Sequence, residues 1–310
     1  MRAPIGLLSG TAHAALADSM ARALGVAQLP RALERTPDGE LLVRVDERVR
    51  GRRVVIVQPT AAPVGEHLLE VLLLADACWR VGALGVSAAV PYLGYARQDR
   101  RTRAGDALGA RVVAGALAGA HLQRILVVDP HNAAVEGGFA CPVELLTAVP
   151  LLARAAEPHV GDDAVVVAPD LGATKLAQRY AQLLRRPMAI VHKQRLGAAD
   201  VAAERVIGEV RGRTPVLVDD IVSTAGTIAA AVELLVAQGA RTPVMVVATH
   251  GLFAPPALER LRALPLARII TTDSVAAPCG DLLAPRDVVP VAPLLAEAIR
   301  ALEATADPDA

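Results

Sequence analysis

Aromatic residues are scarce in this chain: they make up 2% of its 310 positions, with one tryptophan, two phenylalanines and three tyrosines. Since 53% of the residues are hydrophobic all the same, the core has to be assembled from alanine, valine and leucine. Cysteine is nearly absent. Cys78, Cys141 and Cys279 are isolated and odd in number, which matches neither a disulfide framework nor a zinc site. A reducing cytoplasm is the expected home. An excess of one charge is missing too, because 32 basic and 32 acidic residues cancel. Neither nucleic acid nor a membrane surface is therefore an expected partner. The longest runs without Asp, Glu, Lys or Arg, Val81–Ala96 and Thr242–Leu258, are both broken by proline. They fall short of the ~20 apolar residues that a spanning helix needs. The opening segment is interrupted too early, by His13 and Asp18, to read as a secretion signal.

Lysine is the other scarcity. Of the 32 basic residues only Lys175 and Lys193 are lysines, and the rest are arginines. In so biased a chain, a position that keeps lysine is a candidate for a compact, strongly hydrated ammonium rather than a planar fork. Chance explains each lysine taken alone, so the observation gains weight only beside other chemistry.

The length suggests two domains. Short β-branched apolar runs alternate with longer segments of helical periodicity, the pattern of βα units around a parallel sheet. Strands are expected at 54–58, 86–90, 125–129, 165–168, 188–191, 216–219, 244–249 and 269–272, and helices between them, for example at 66–81, 172–184, 227–238 and 294–303. The expected fold is α/β. The segment 150–163, with Pro158, Gly161 and a break in apolar periodicity, is the expected boundary between domains 1–150 and 151–310.

Candidate chemistry gathers where strands end. "VLVDDIVSTAGT" runs from a buried strand into Asp219 and Asp220, then into Ser223, Thr224, Ala225, Gly226 and Thr227, then into a helix. A small-residue loop at a helix N-terminus cradles an anion. Two carboxylates repel phosphate, so the ligand's other end must offer hydroxyls or a metal ion. The plainer alternative is a turn whose Ser or Thr caps the helix. "PYLGYARQDRRTRAGD" places Arg97, Gln98, Asp99, Arg100, Arg101 and Arg103 together, as a polyphosphate would require. A solvated basic loop is the alternative there, though Tyr92 and Tyr95 lie beside it. "VVDPHN" and "VAPDLGATK" set His131 and Asp170 just past strands, and the pair would suit Mg²⁺ held partly by water and substrate phosphates. "IVHKQRLGAAD" carries Lys193 and Arg195 two apart after a strand, so both point to one side of an extended backbone. Such an arm could close over a reacting phosphate, or simply be a basic hairpin tip.

Taken in order along the chain, "PYLGYARQDRR", "HKQR", "VLVDDIVSTAGT" and "ATHGLFAPPALERL" resemble the signatures of the ribose-phosphate pyrophosphokinases, from about Leu7 to Ile299. The resemblance implies two phosphoribosyltransferase-like domains, the last helix packing on the N-terminal one. It implies transfer of the diphosphate of ATP to the anomeric hydroxyl of ribose 5-phosphate, with Mg²⁺ as cofactor. By position, Asp219 and Asp220 would hold ribose hydroxyls and metal, and Ser223 to Thr227 the 5-phosphate. Arg97, Gln98 and His131 would contact ATP, His131 and Asp170 the metal, and Lys193, Arg195 and His131 would be catalytic. The family's rings of dimers, often hexamers, imply a homo-oligomer in which Asp38 and Glu40 complete a neighbour's nucleotide site. Three departures stand out: Thr36 where many members carry an aromatic before "PDGE", Ser223 in place of an aspartate, and the forms "DPHN" and "DLGAT". Two other readings remain: a phosphoribosyltransferase, which would not need the basic clusters, and a non-catalytic regulatory homologue.

Overall fold

The structure is a computed structural model that describes residues 3–194, 203–276 and 284–305. These fall into two compact units, one formed by 3–147 with 274–276 and 290–305, the other by 148–273 with 284–289.

The first unit is built on β1 (Ile5–Ser9), β4 (Arg53–Val57), β5 (Gly85–Ala89), β6 (Leu122–Val128) and β7 (Val143–Leu146). All pair in parallel, side by side in that order. Their register puts Leu8, Ile56, Ala88, Ile125 and Val143 in one row across the sheet. That row joins a core with Val71, Leu74 and Cys78 of α2 (Val64–Val81) and Val113 and Leu117 of α3 (Gly109–Ala118). The opposite face is served by α1 (Ala14–Leu24), which packs on β1, and by α8 (Ala292–Thr305), which packs on α1 and reaches β7. Strands covered on both faces must be apolar at every position, which is why they read as unbroken runs. Burial pushes the Cys78 thiol up to about 12, so it is inert packing. A separate antiparallel hairpin joins β2 (Arg31–Arg35) to β3 (Leu41–Val45).

The second unit contains β8 (Ala164–Ala168), β9 (Met188–Gln194), β10 (Ala203–Ile207), β11 (Thr214–Val222), β12 (Val244–Gly251), β13 (Leu266–Thr272) and β14 (Arg286–Val289). The spatial order is β10-β9-β8-β11-β12-β13-β14, and only β10 runs antiparallel. One face packs on α6 (Gly226–Ala237) and α7 (Ala257–Arg262), through Ile228, Ala231, Leu235, Ala257 and Leu261. The other meets α4 (Val149–Ala156) and α5 (Thr174–Leu184).

All eight expected strands are present, with β9 extended three residues to Gln194. The segment expected to break at 150 begins instead as a helix. Pro150 occupies its first turn, where no backbone donor is needed. Val149, Leu152, Ala153 and Ala156 form its buried stripe, too short a repeat to stand out in the sequence. The edge strands β1, β7, β10 and β14, the hairpin and helix α1 were not expected, whereas α3 and α7 fall between expected strands as the alternation requires.

A buried polar cluster in the first unit ties the loop after β1 to α2. The Glu70 carboxyl accepts from Thr11 N (2.8 Å), Thr11 Oγ1 (2.5 Å) and Gln58 Nε2 (2.6 Å), while Gln58 Oε1 accepts from Ala12 N (3.0 Å). Glu70 and Gln58 are both buried. Donors stranded in such a place cost far more than the net value of their bonds. Glu70→Ala is therefore expected to lower unfolding free energy by about 3 kcal/mol in urea titration. Glu70→Gln, which keeps an acceptor oxygen, should lose clearly less.

Candidate functional site

In the second unit the chain leaves β8 through α5 toward β9 on one side, and leaves β11 through α6 toward β12 on the other. The strand order therefore reverses between β8 and β11. In open α/β sheets the crevice at the carboxyl ends of the strands, at such a reversal, is where ligands bind. Asp170 follows β8, and Asp219 and Asp220 lie within the last four residues of β11. The topology thus brings together carboxylates about fifty positions apart in the chain.

The electrostatics of this crevice are unfavourable as it stands. Asp219 is pushed up to about 8, first by burial, then by the charge of Asp220 and the hydrogen bond shared with it, and further by Asp170. The Asp220 N–H donates back to Asp219 Oδ1 at 2.9 Å, which only partly offsets this. Three acidic groups held at one sheet edge call for a cation or for hydroxyl donors.

Directly beyond β11 lies the loop Ser223–Gly226. Ala225, at φ 58, turns the chain left-handed into α6 and serves as its N-cap with no side-chain hydrogen bond. The plainer expectation, a Ser or Thr capping this helix, is therefore not what the loop does. The first N–H groups of α6 stay available, with the positive end of the helix dipole, for an anion beside the carboxylates. Arg260 of α7 donates from Nη1 to Thr224 O at 3.0 Å. At the neighbouring strand end, Ala173 N donates to Asp170 Oδ1 at 3.1 Å and fixes that carboxyl at the start of α5.

Lys193 lies within β9, its backbone paired with Glu204 of β10, rather than beyond the strand as expected. Arg195 lies outside the described residues.

The sequence-expected residues of the first unit also sit at strand ends. The loop after β5 is pinned by Thr60: its Oγ1 accepts from Gly94 N (2.7 Å) and donates to Tyr92 O (3.2 Å). Asn132 Nδ2 donates to Asp99 Oδ2 at 2.7 Å, joining the "DPHN" and "YARQD" loops. Arg97, Gln98 and His131 are exposed along this edge. Further along the same loop, the Asp106 carboxyl is held below its usual range by the Thr102 hydroxyl and the backbone N–H groups of Arg103 and Thr102, which all donate to it. Asp38 and Glu40 are exposed at the β2–β3 turn. Thr36 is occupied there: its hydroxyl bonds Asp38 and accepts from Glu40 N at 2.9 Å. This gives Thr36 a part in shaping the turn.

Among the described residues, no group of three or more His, Cys, Asp or Glu side chains is arranged to enclose a metal ion. The Asp219–Asp220 pair, with Asp170 near, is nonetheless a hard oxygen donor set under mutual repulsion. It fits a small divalent cation that keeps waters and takes its remaining ligands from phosphate.

Two α/β units, one with a carboxylate-flanked anion cradle at its switch point, describe a nucleotide-type transferase of the phosphoribosyl class. A family model for the N-terminal domain of ribose phosphate pyrophosphokinase matches residues 5–120, and one for the phosphoribosyl synthetase-associated domain matches 200–306. The chain is 41% identical over 295 residues to a ribose-phosphate pyrophosphokinase of Parasynechococcus marenigrum, covering 94% of this chain and 89% of that one. It is 38% identical to one from Caldanaerobacter subterraneus, covering 94% and 93%. The crystal structure of a phosphoribosylpyrophosphate synthetase from Mycobacterium smegmatis superposes with a TM-score of 0.89 at 37% identity, covering 97% of this chain and 99% of that one. The chain belongs to the ribose-phosphate pyrophosphokinase family.

Sequence reading missed Thr60 and Arg260. Thr60 had a weak signal, a hydroxyl just past a strand end. Arg260 lies inside the family-like segment "ATHGLFAPPALERL", so the segment was noticed, but nothing in its helical spacing singled out the arginine.

The raised Asp219 value has a consequence for stability. Its folded value, about 8, lies above the ordinary 3.8. Between these two pH values the unfolded chain has lost a proton that the fold retains, so stability falls as pH rises through that window. Asp219→Asn is expected to raise the thermal midpoint of ligand-free protein, with the gain growing from about pH 5 to about pH 8. An equal gain at both would show that Asp219 does not titrate there.

Proposed function

We propose that this chain catalyses transfer of the diphosphate of ATP to the anomeric hydroxyl of ribose 5-phosphate, forming 5-phosphoribosyl 1-diphosphate and AMP. The observation that carries the reading is the α6 N-terminus without a side-chain cap, lying beside Asp219 and Asp220. It is an anion cradle joined to a pair of hydroxyl acceptors, the two ends of a ribose phosphate. Ser223, Thr224, Ala225, Gly226 and Thr227 hold the 5-phosphate, and Asp219 and Asp220 hold the ring hydroxyls.

Arg97, Gln98 and His131 hold the ATP triphosphate. Asp38 and Glu40 serve the same nucleotide from a neighbouring copy in a homo-oligomer of dimers assembled into a hexamer. In the reaction the anomeric hydroxyl gives up its proton to solvent as its oxygen attacks the β-phosphorus and forms a new P–O bond. The bond from that phosphorus to the oxygen bridging the α-phosphate breaks, and AMP leaves with the electron pair. Lys193 and Arg195 neutralise charge that grows on the transferring group, which is worth most where water is excluded. His131 and Asp170, with Asp219 and Asp220, are the residues that would hold Mg²⁺, which when bound would neutralise charge on the phosphate oxygens. Equal numbers of acidic and basic residues, and no helix among the described residues long and apolar enough to cross a membrane, support action in the cytoplasm on small substrates.

Purified protein given ribose 5-phosphate, Mg²⁺ and ATP is expected to yield AMP and the diphosphorylated sugar in equal amounts. Lys193→Ala should reduce the rate about a hundredfold or more, the scale for removal of a transition-state donor. Retained ribose 5-phosphate binding with no AMP from ATP, CTP or GTP would point to a regulatory homologue instead.

A further inference from the structure

Arg260 stands on α7, whose buried residues Ala257 and Leu261 lock into the same core as Ala225 and Ile228. The backbone of the arginine is thus held by packing while its guanidinium lies against the 223–227 loop. Besides donating to Thr224 O at 3.0 Å, its Nη1 would stand only 3.2 Å from a Cβ at Gly226. The glycine leaves the room that the cation occupies.

Two physical effects follow. The Thr224–Ala225 peptide is planar and trans, so tying its C=O toward α7 turns the Ala225 N–H away from α7. Ala225 itself is a non-glycine residue at φ 58, a conformation that an L side chain adopts only when its surroundings hold it there. The Arg260 bond acts on the peptide immediately before that strained residue. The second effect is charge: a cation against the first turn of α6 adds to the positive end of its dipole.

We propose that Arg260 is a positioning residue for the phosphate of the sugar substrate. It fixes the loop peptide in the anion-binding orientation and adds positive charge behind it, acting through Thr224 and Ala225 rather than on the reacting atoms. This rests on the reading of 223–227 as the ribose-phosphate loop.

The test compares the full-length parent with Arg260→Ala and Arg260→Lys. Because the guanidinium is exposed and the core contacts of α7 belong to other residues, both variants should fold with thermal midpoints near the parent's. Arg260→Ala is expected to raise KM for ribose 5-phosphate about tenfold, the scale of one charge-assisted hydrogen bond. Its kcat and its KM for ATP should stay within about twofold of the parent's. Arg260→Lys, which keeps a cation and one donor, should recover most of the loss. Without ligand, amide hydrogen exchange across 222–230 should be faster in Arg260→Ala and return toward the parent rate in Arg260→Lys. Unchanged KM and unchanged exchange in the alanine variant would overturn the proposal, as would an equal rise in both KM values. If the parent makes no product, the reading of the activity fails, and the exchange comparison alone decides whether Arg260 positions the loop.

Discussion

Burial of Asp219 beside the carboxyl groups of Asp220 and Asp170 is the constraint on which the candidate site of the second unit depends. Burial first, then the charge and hydrogen bond of Asp220, and last the charge of Asp170 raise the cost of ionising Asp219, which is pushed up to about 8. Such an arrangement weakens a resting fold, and it persists only where a ligand's cation or hydroxyls relieve it. The anion-receptive end of α6 adjoins the acidic groups, so one short segment presents opposite electrostatic demands within the length of a sugar. A ribose phosphate meets both.

The first unit solves a different problem. Its strand order runs without reversal from β1 to β7, so the sheet alone does not open a crevice of the kind found between β8 and β11. Its candidate residues sit on loops, and the loops are held by side-chain hydroxyls and amides in a chain with few aromatic rings to pack them. Thr60 gathers the turn after β5, Asn132 reaches Asp99, Thr36 shapes the β2–β3 turn, and Thr11 with Gln58 anchors on Glu70. Each of these bonds crosses a turn, links two loops or ties a loop to α2. Order is thereby supplied locally, where a small apolar core would not reach.

Much of the central sheet structure was legible in advance because parallel strands covered on both faces leave an unmistakable trace of consecutive Val, Ile, Leu and Ala. Edge strands leave a weaker one. β14 mixes Arg286 and Asp287 with two valines, and β10 begins Ala203-Glu204-Arg205, because an edge strand has only one neighbour and partial cover. Helix α4 was masked by the prolines and glycine around it, since Pro150 reads as a break yet is harmless in a first turn. The motif residues of the site were legible by residue type and place, with Asp170, Asp219 and Asp220 each announced by a strand running into an acid. Lys193 was read as lying past its strand, because the apolar run ends at Val191 while the antiparallel pairing with β10 carries the strand three residues further.

By itself, then, the sequence determined the α/β class, the places where strands end, and the chemical character of what stands there, since these follow from local composition and period. Tertiary structure alone decided which strand ends are neighbours. The reversal between β8 and β11 places Asp170 close enough to raise the Asp219 value, and no spacing along the chain encodes that charge interaction. The packing of α7 against α6 likewise puts Arg260 onto Thr224 from 36 positions away. A cation acts through space, and its neighbours in space are settled only when the core has closed.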